Sequence, residues 1–170
     1  MPATASPKFG AILAELRRHN VDFIVVGGVA AVLEGAPLNT FDLDIVHSRE
    51  PGNIERLLGA LESLEAAYRT VGERKLKPDA SHLSSPGHQL LTTRFGTCDI
   101  LGAIGRSQSY DDLLPHTVEL EVADDLRVRV LDLETLIRTK EETRGEKDLA
   151  ALPVLRQTLK EKRRRARVSD

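Results

Sequence analysis

The sequence has little of what membrane, secreted and single-strand-binding proteins need. It contains one cysteine, Cys98, so no internal disulfide can form, and no apolar run approaches the roughly 20 residues of a membrane-spanning helix. Tryptophan is absent and aromatic residues make up 4% of the chain, which leaves few side chains for stacking on bases. The first ten residues lack the charged start and apolar core of a secretion signal. We therefore expect a cytoplasmic protein with an aliphatic core and no membrane contact.

An excess of positive charge is also missing. The chain has 24 Lys and Arg against 26 Asp and Glu, a net charge of -2, so no global field attracts nucleic acid. Residues 160–167 are the local exception, with six basic residues in eight. This segment either extends a helix into solvent or contacts an RNA backbone. The length of 170 residues favours one domain over residues 1–159, followed by a basic tail over 160–170.

Apolar spacing divides the chain into helices and strands. Period-3.6 patterns predict helices, and β-branched or alternating runs predict strands. The predicted helices cover about 8–19, 29–33, 51–68 and two segments after 132, with Pro153 starting or kinking the last one; the predicted strands are 23–26, 41–46, 90–95, 97–101, 118–122 and 126–131. Residues 70–87 are predicted to be a loop or weak edge strand. The pattern indicates an α/β (α+β) fold, a mixed sheet of five or six strands flanked by helices, with a helical C-terminus.

Two acids inside an apolar strand are the most informative feature. Asp42 and Asp44 stand two residues apart within residues 41–46 and therefore project from one face. A solvent-facing alternation would explain them without any ligand. Two neighbouring carboxylates on a partly buried strand instead take up a proton or bind a hard divalent cation, Mg²⁺ or Mn²⁺.

Two further features bear on this choice. Gly27 and Gly28 end the strand at residues 23–26 and open a helix, where backbone N–H groups can hold phosphate oxygens, although a plain tight turn has the same sequence. Asp99 is a third acid within an apolar, strand-like run. Beside the first two it would complete a two-metal site for phosphoryl or nucleotidyl transfer, with Asp99 as the base that activates a hydroxyl.

These residues resemble the nucleotidyltransferase fold superfamily, which includes the pol β-like polymerases and the minimal nucleotidyltransferases. The resemblance lies in residues 26–30 (VGGVA), residues 35–45 (GAPLNTFDLDI) and Asp99. Within that superfamily the sequence is most similar to AbiEii-like toxin nucleotidyltransferases and related uncharacterised bacterial proteins. Residues 130–140 and 147–149 look like the late Lys-rich helix of these proteins.

The resemblance implies a magnesium-dependent enzyme that moves a nucleoside monophosphate from an NTP to a hydroxyl. The acceptor would be RNA, such as tRNA, or a protein, and the protein would be the toxin of a toxin–antitoxin pair with an antitoxin protein as partner. The implied catalytic and metal-binding residues are Asp42, Asp44 and Asp99, and the implied nucleotide-binding residues are Gly27, Gly28, Thr40 and Lys140.

Two positions depart from the family pattern. Glu34 stands where relatives often have His, and Leu38 stands where they often have Arg. An arginine near the triphosphate would stabilise developing negative charge, so Lys140, Arg144 or Lys147 would have to replace it. The alternative is a catalytically weak or inactive module of the same fold that binds nucleotide or protein.

Other reactive side chains have no pattern that predicts chemistry. The five histidines lack the spacing of a zinc site, and Cys98 has no cysteine partner. Because Cys98 precedes Asp99 on a strand, we expect it on the opposite face, as a small buried hydrophobe.

Overall fold

The chain folds into one mixed sheet with helices packed against it. The computed structural model describes residues 7–69 and 75–169, and within them are seven strands and seven α-helices. The strands are β1 (Phe23–Val26), β2 (Asp42–His47), β3 (Ala67–Tyr68), β4 (His88–Thr93), β5 (Gly96–Leu101), β6 (Thr117–Ala123) and β7 (Leu126–Leu131). The helices are α1 (Phe9–Arg18), α2 (Gly27–Leu33), α3 (Pro51–Ser63), α4 (Ala80–Ser84), α5 (Tyr110–Leu113), α6 (Leu133–Thr143) and α7 (Glu146–Ser169), and a 3-10 turn spans Leu114–His116.

The strand order is β3-β4-β5-β2-β1-β7-β6. Strand β1 pairs antiparallel with β2 and parallel with β7, and β2 pairs parallel with β5. The predicted mixed α/β fold with a helical C-terminus is confirmed. Strand β2 is therefore the middle strand of the sheet, between β5 and β1.

The sheet has seven strands rather than the expected five or six. Helix α3 ends at Ser63 and not near residue 68, because Glu65 adopts a left-handed conformation with φ +54°. The N–H of Ala66 then bonds back to the carbonyl of Leu61 at 2.9 Å, which closes the helix end. Residues 67–68 therefore lie beyond the helix and pair with β4 as β3, the additional strand at the edge of the sheet.

The expected loop over residues 70–87 contains a helix. Asp79 caps α4 by accepting a hydrogen bond from the N–H of His82 at 2.9 Å. Leu83, which looks isolated in the sequence, is fully buried in the core. A five-residue helix with one apolar anchor has too little periodicity to be recognised from sequence. Residues 70–74 of this prediction lie outside the described part of the chain.

Helix α7 includes both Pro153 and the basic segment predicted as a tail. It begins at Glu146, so Pro153 lies inside the helix rather than at its start. The basic segment continues the helix, and two of its residues form ion pairs with the rest of the domain: Lys162 with Glu34 and Arg163 with Glu134.

The core is aliphatic, as the composition predicts. Phe23 is the one aromatic side chain among the buried hydrophobic residues of the described chain. None of the described helices is both long and apolar enough to cross a membrane.

Candidate active site

Strand pairing brings the three predicted acids together. Strands β2 and β5 are parallel neighbours, and their register sets Asp44 opposite Asp99. Asp42 lies two residues before Asp44 and opposite Thr97. Residues two apart on a strand share a face, so all three carboxylates project from the same side of the sheet. The solvent-facing alternation considered for β2 does not describe Asp44, which is half-buried.

Asp44 is the carboxylate whose charge is least compensated. Burial, followed by the neighbouring charges of Asp99 and Asp42, raises its pKa from 3.8 to about 7, and Lys140 acts in the opposite direction. Asp44 and Asp99 are also close enough to hydrogen bond to each other. Two carboxyl groups can do so only if they share a proton, so the site concentrates more negative charge than its own residues neutralise.

The other two carboxylates have partners of different kinds. The hydroxyl of Thr97 donates a hydrogen bond to Oδ1 of Asp42. Oδ1 of Asp99 lies 2.7 Å from Nη1 of Arg69, which forms an ion pair with it. Asp99 Oδ1 is closed off from solvent and has no donor in good hydrogen-bonding geometry.

The glycine turn lies directly against Asp44. Gly27 has φ +67°, and a side chain there would collide with the Asp44 carboxylate. A Cβ on Gly28 would lie 2.8 Å from the hydroxyl of Thr40. Both glycines are therefore required by close approach, which is more than a plain tight turn needs. Of the predicted nucleotide-binding residues, the structure thus places Gly27 against Asp44 and Gly28 against Thr40.

Lys140 approaches the same place from helix α6. It lines a cavity of about 220 Å³ together with Asp44 and Gly27. Its ammonium group forms an ion pair with Asp148 at 3.2 Å. Burial acts to raise the pKa of Asp148, but hydrogen bonds from Thr143 and Lys140 outweigh burial and lower it. Lys140 is therefore held in place between Asp148 and the acids of the sheet.

The remaining basic candidates and the two residues that depart from the family pattern lie outside the cavity beside Asp44. Arg144 and Lys147 are exposed and do not line the cavity beside Asp44. Glu34 is buried, forms an ion pair with Lys162 and lines a separate cavity of about 710 Å³ against helix α7. Leu38 packs against the core.

Arg69 is the site residue that the sequence did not reveal. It follows β3, and its side chain donates a hydrogen bond to the carbonyl of Leu91 at 2.8 Å while pairing with Asp99. The sequence pattern extended helix α3 to residue 68, which hid the strand edge that aims Arg69 at the site. The one signal that could have indicated it is Tyr68, a residue enriched in strands, directly before the basic residue.

The carboxylates match a divalent ion in chemistry, but they are not arranged as a finished ligand shell. No group of three or more His, Cys, Asp or Glu residues in the described chain is placed to hold a metal ion. Mg²⁺ and Mn²⁺ nevertheless prefer negatively charged oxygen donors. The elevated pKa of Asp44 shows that its negative charge is poorly compensated by the surrounding residues. These three residues therefore fit such an ion by donor type.

Cys98 is placed as predicted. It is fully buried on the face opposite Asp99, and burial raises the pKa of its thiol. A buried neutral thiol is a poor nucleophile.

Comparison with solved structures identifies the fold. The chain is similar to a proposed nucleotidyltransferase of Thermotoga maritima, with 16% identity, a TM-score of 0.56 and coverage of 90% of this chain and 91% of that one. It is similar to the lincosamide antibiotic adenylyltransferase LnuA, solved with lincomycin, with 16% identity, a TM-score of 0.59 and coverage of 88% and 95%. It is also similar to the antibiotic-resistance factor ANT(2'')-Ia in complex with adenylyl-2''-tobramycin, with 14% identity, a TM-score of 0.58 and coverage of 89% and 87%. No protein-family profile and no curated protein sequence matches the chain.

Proposed function

We propose that this chain, which has the nucleotidyltransferase fold, transfers a nucleoside monophosphate from an NTP to a hydroxyl group with the help of Mg²⁺ or Mn²⁺. The observation that carries the proposal is the convergence of Asp42, Asp44 and Asp99 on one sheet face, with Asp44 pressed against the Gly27 turn. A structural role for three neighbouring carboxylates would be costly, because their repulsion opposes folding.

Each residue has a distinct task in this reaction. Asp42 and Asp44 would hold the divalent ion, which supplies positive charge to the α-phosphate and the leaving group. The backbone N–H groups at Gly27 and Gly28 would contact phosphate oxygens, with Thr40 beside them. Lys140 would bind the outer phosphates.

The chemical step is an in-line displacement at the α-phosphorus. Asp99 accepts the proton of the acceptor hydroxyl, whose oxygen then forms the new bond to phosphorus. The bond from phosphorus to the bridging oxygen breaks, and pyrophosphate leaves with that electron pair. Asp99 is suited to the proton transfer by its position on the strand next to Asp42 and Asp44, directly opposite Asp44.

The proposal leaves the class of acceptor to be decided by experiment. The resemblance to toxin enzymes favours RNA such as tRNA, or a protein, with an antitoxin as partner. The solved structures of similar fold include proteins that act on antibiotics, which makes a small polyhydroxylated acceptor the competing branch.

The basic segment of α7 limits how RNA could bind. Lys160 is 12 residues beyond Asp148, which the ion pair holds beside Lys140. At 1.5 Å per helical residue the basic segment starts about 18 Å from that pair. An RNA acceptor that touches both the segment and the acids must therefore span that distance.

The decisive experiment follows labelled nucleotide. The purified chain is incubated with each α-labelled NTP, with Mg²⁺ or Mn²⁺, and separately with total tRNA, a protein extract, an aminoglycoside or a lincosamide. We expect label on one acceptor class, dependence on the metal, and a loss of at least about a hundredfold in Asp44→Asn. The control is Asp124→Asn, which changes an exposed acid in the β6–β7 turn.

Two results would separate the alternatives. Label transfer that persists in Asp44→Ala would contradict the assignment of the acids. NTP binding without transfer to any acceptor would instead favour the inactive binding module, for which the replacement of Arg by Leu38 is the motivating feature.

A further inference from the structure

Arg69 occupies a defined place in the site. Its backbone N–H donates to the carbonyl of Leu90 at 3.1 Å, and its Nη1 donates to the carbonyl of Leu91 at 2.8 Å. The same nitrogen lies 2.7 Å from Oδ1 of Asp99. Its backbone and its guanidinium are thus both anchored to strand β4, so this is not a freely moving surface arginine.

The strand order places Arg69 on one side of the acids. Along the sheet, Gly27 follows β1, Asp44 is on β2, Asp99 is on β5 and Arg69 borders β4. The glycine turn and Arg69 therefore flank the carboxylates from opposite sides. In an in-line displacement the leaving pyrophosphate and the attacking hydroxyl also lie on opposite sides of the phosphorus. With phosphates at Gly27, the hydroxyl would approach from the side of β5 and β4.

We propose that Arg69 is the positioning residue of the acceptor side: it holds Oδ1 of Asp99 so that the other carboxylate oxygen faces the attacking hydroxyl. This inference rests on the proposed nucleotidyl transfer. Among the three carboxylates, Asp99 is the one with a charged partner whose own position is fixed by a backbone carbonyl. Asp42 has a threonine hydroxyl as its partner, and Asp44 faces the glycine turn. The anchored cation thus distinguishes Asp99 from the metal-binding pair.

The ion pair at 2.7 Å keeps one oxygen of Asp99 at the guanidinium and so restricts rotation of the carboxylate, and a proton acceptor needs such a restricted direction. The Asp99 side chain is 13% exposed and Arg69 is 30% exposed, so the contact is partly shielded from water. Without the guanidinium, Asp99 would be free to turn toward a divalent ion held by Asp42 and Asp44.

The test compares Arg69→Gln and Arg69→Lys with Arg94→Gln in the full chain. Arg94 is a matched control, because it also bonds a backbone carbonyl, that of Ser63 at 3.2 Å, and approaches an acid, Glu65 at 4.0 Å, but does not touch the site. The measurements are kcat, KM for the NTP, KM for the acceptor, the melting temperature and the affinity for Mn²⁺ without nucleotide.

Arg69→Gln should lower kcat by at least about tenfold while the KM for NTP changes less than about twofold, because Asp99 acts on the hydroxyl and not on nucleotide binding. The same variant should bind Mn²⁺ about threefold more tightly, since a positive charge next to Asp99 has been removed. Arg69→Lys should recover part of kcat, and Arg94→Gln should leave kcat and Mn²⁺ affinity unchanged.

A merely structural arginine would give a different pattern. Its loss would lower kcat and the melting temperature together and would leave Mn²⁺ binding equal or weaker, and this outcome overturns the inference. A kcat of Arg69→Gln within twofold of wild type also overturns it. If the wild-type chain transfers no nucleotide at all, the proposed function fails, whereas the Mn²⁺ titration still decides whether Arg69 controls Asp99.

Discussion

Replacing Asp44 with Asn should stabilise the metal-free protein at neutral and alkaline pH. Folding raises the pKa of this carboxyl from 3.8 to about 7, chiefly through burial and then through Asp99. Each pH unit between the two pKa values is worth about 1.4 kcal/mol, so ionised Asp44 costs the folded state up to about 4 kcal/mol. Part of this cost is repulsion between Asp44 and Asp99, so it belongs to the pair of carboxylates and not to Asp44 alone.

The direction of the pH dependence follows from this pKa. The folded protein holds the proton more tightly than the unfolded chain, so the free energy of unfolding falls as pH rises from about 4 to about 7 and is level above that. Asp44→Asn carries no such proton and should lack this part of the slope. At pH 8 the variant should melt roughly 10 °C higher, given about 2–4 °C per kcal/mol for a chain of this size.

The assay is thermal unfolding in EDTA between pH 4.5 and 8.5 for wild type, Asp44→Asn and the surface control Asp124→Asn. Added Mg²⁺ should stabilise wild type at pH 8 and have little effect on Asp44→Asn, because the ion neutralises the charge that the variant lacks. An Asp44→Asn protein that is less stable than wild type at pH 8 in EDTA would refute the reasoning. It would mean that the carboxylate is held by structural hydrogen bonds.

Three further outcomes can be measured on the same protein. Gly27→Ala should lower the free energy of unfolding in urea by at least about 2 kcal/mol and abolish nucleotide binding, because the left-handed backbone and the adjacent Asp44 carboxylate both exclude a side chain. Gly28→Ala is the control and should cost less, because Gly28 has no positive φ. Lys162→Met should destabilise the fold by about 2 kcal/mol, because Glu34 is left buried without its partner. Adding Glu34→Gln should restore most of this stability, and no recovery in the double variant would show that the ion pair is not the cause. Cys98 should react with thiol reagents at least about a hundredfold more slowly in the folded protein than in urea, since it is fully buried, and rapid labelling of the native protein would contradict the packing of β5.

The sequence predicts helices and strands correctly where their apolar spacing repeats several times. The strands at residues 23–26 and 126–131 and the helix over residues 9–18 are where their apolar spacing predicts them. Short elements were missed: α4 depends on one buried leucine, and β3 has two residues. Such segments owe their conformation to the neighbours they contact, which a window of sequence does not contain.

The residues of the candidate site also differ in how clearly the sequence indicates them. Asp42 and Asp44 stand out by themselves, because acids are rare in apolar strands and their spacing already puts them on one face. Gly27 stands out because a glycine pair ends a strand. Arg69 had no such signal, since an arginine after a helix is ordinary until the helix is seen to end early.

What the sequence by itself determined is therefore the set of acids and their common face, since that face follows from a backbone period of two residues. Only the tertiary structure decided which groups meet them. The parallel register of β2 and β5 brings Asp99 opposite Asp44 across a gap of 55 residues in the chain, and β3 brings Arg69 to Asp99. The elevated pKa of Asp44 is likewise a tertiary property, because burial and a second carboxylate produce it, and both appear only when strands distant in sequence form one sheet.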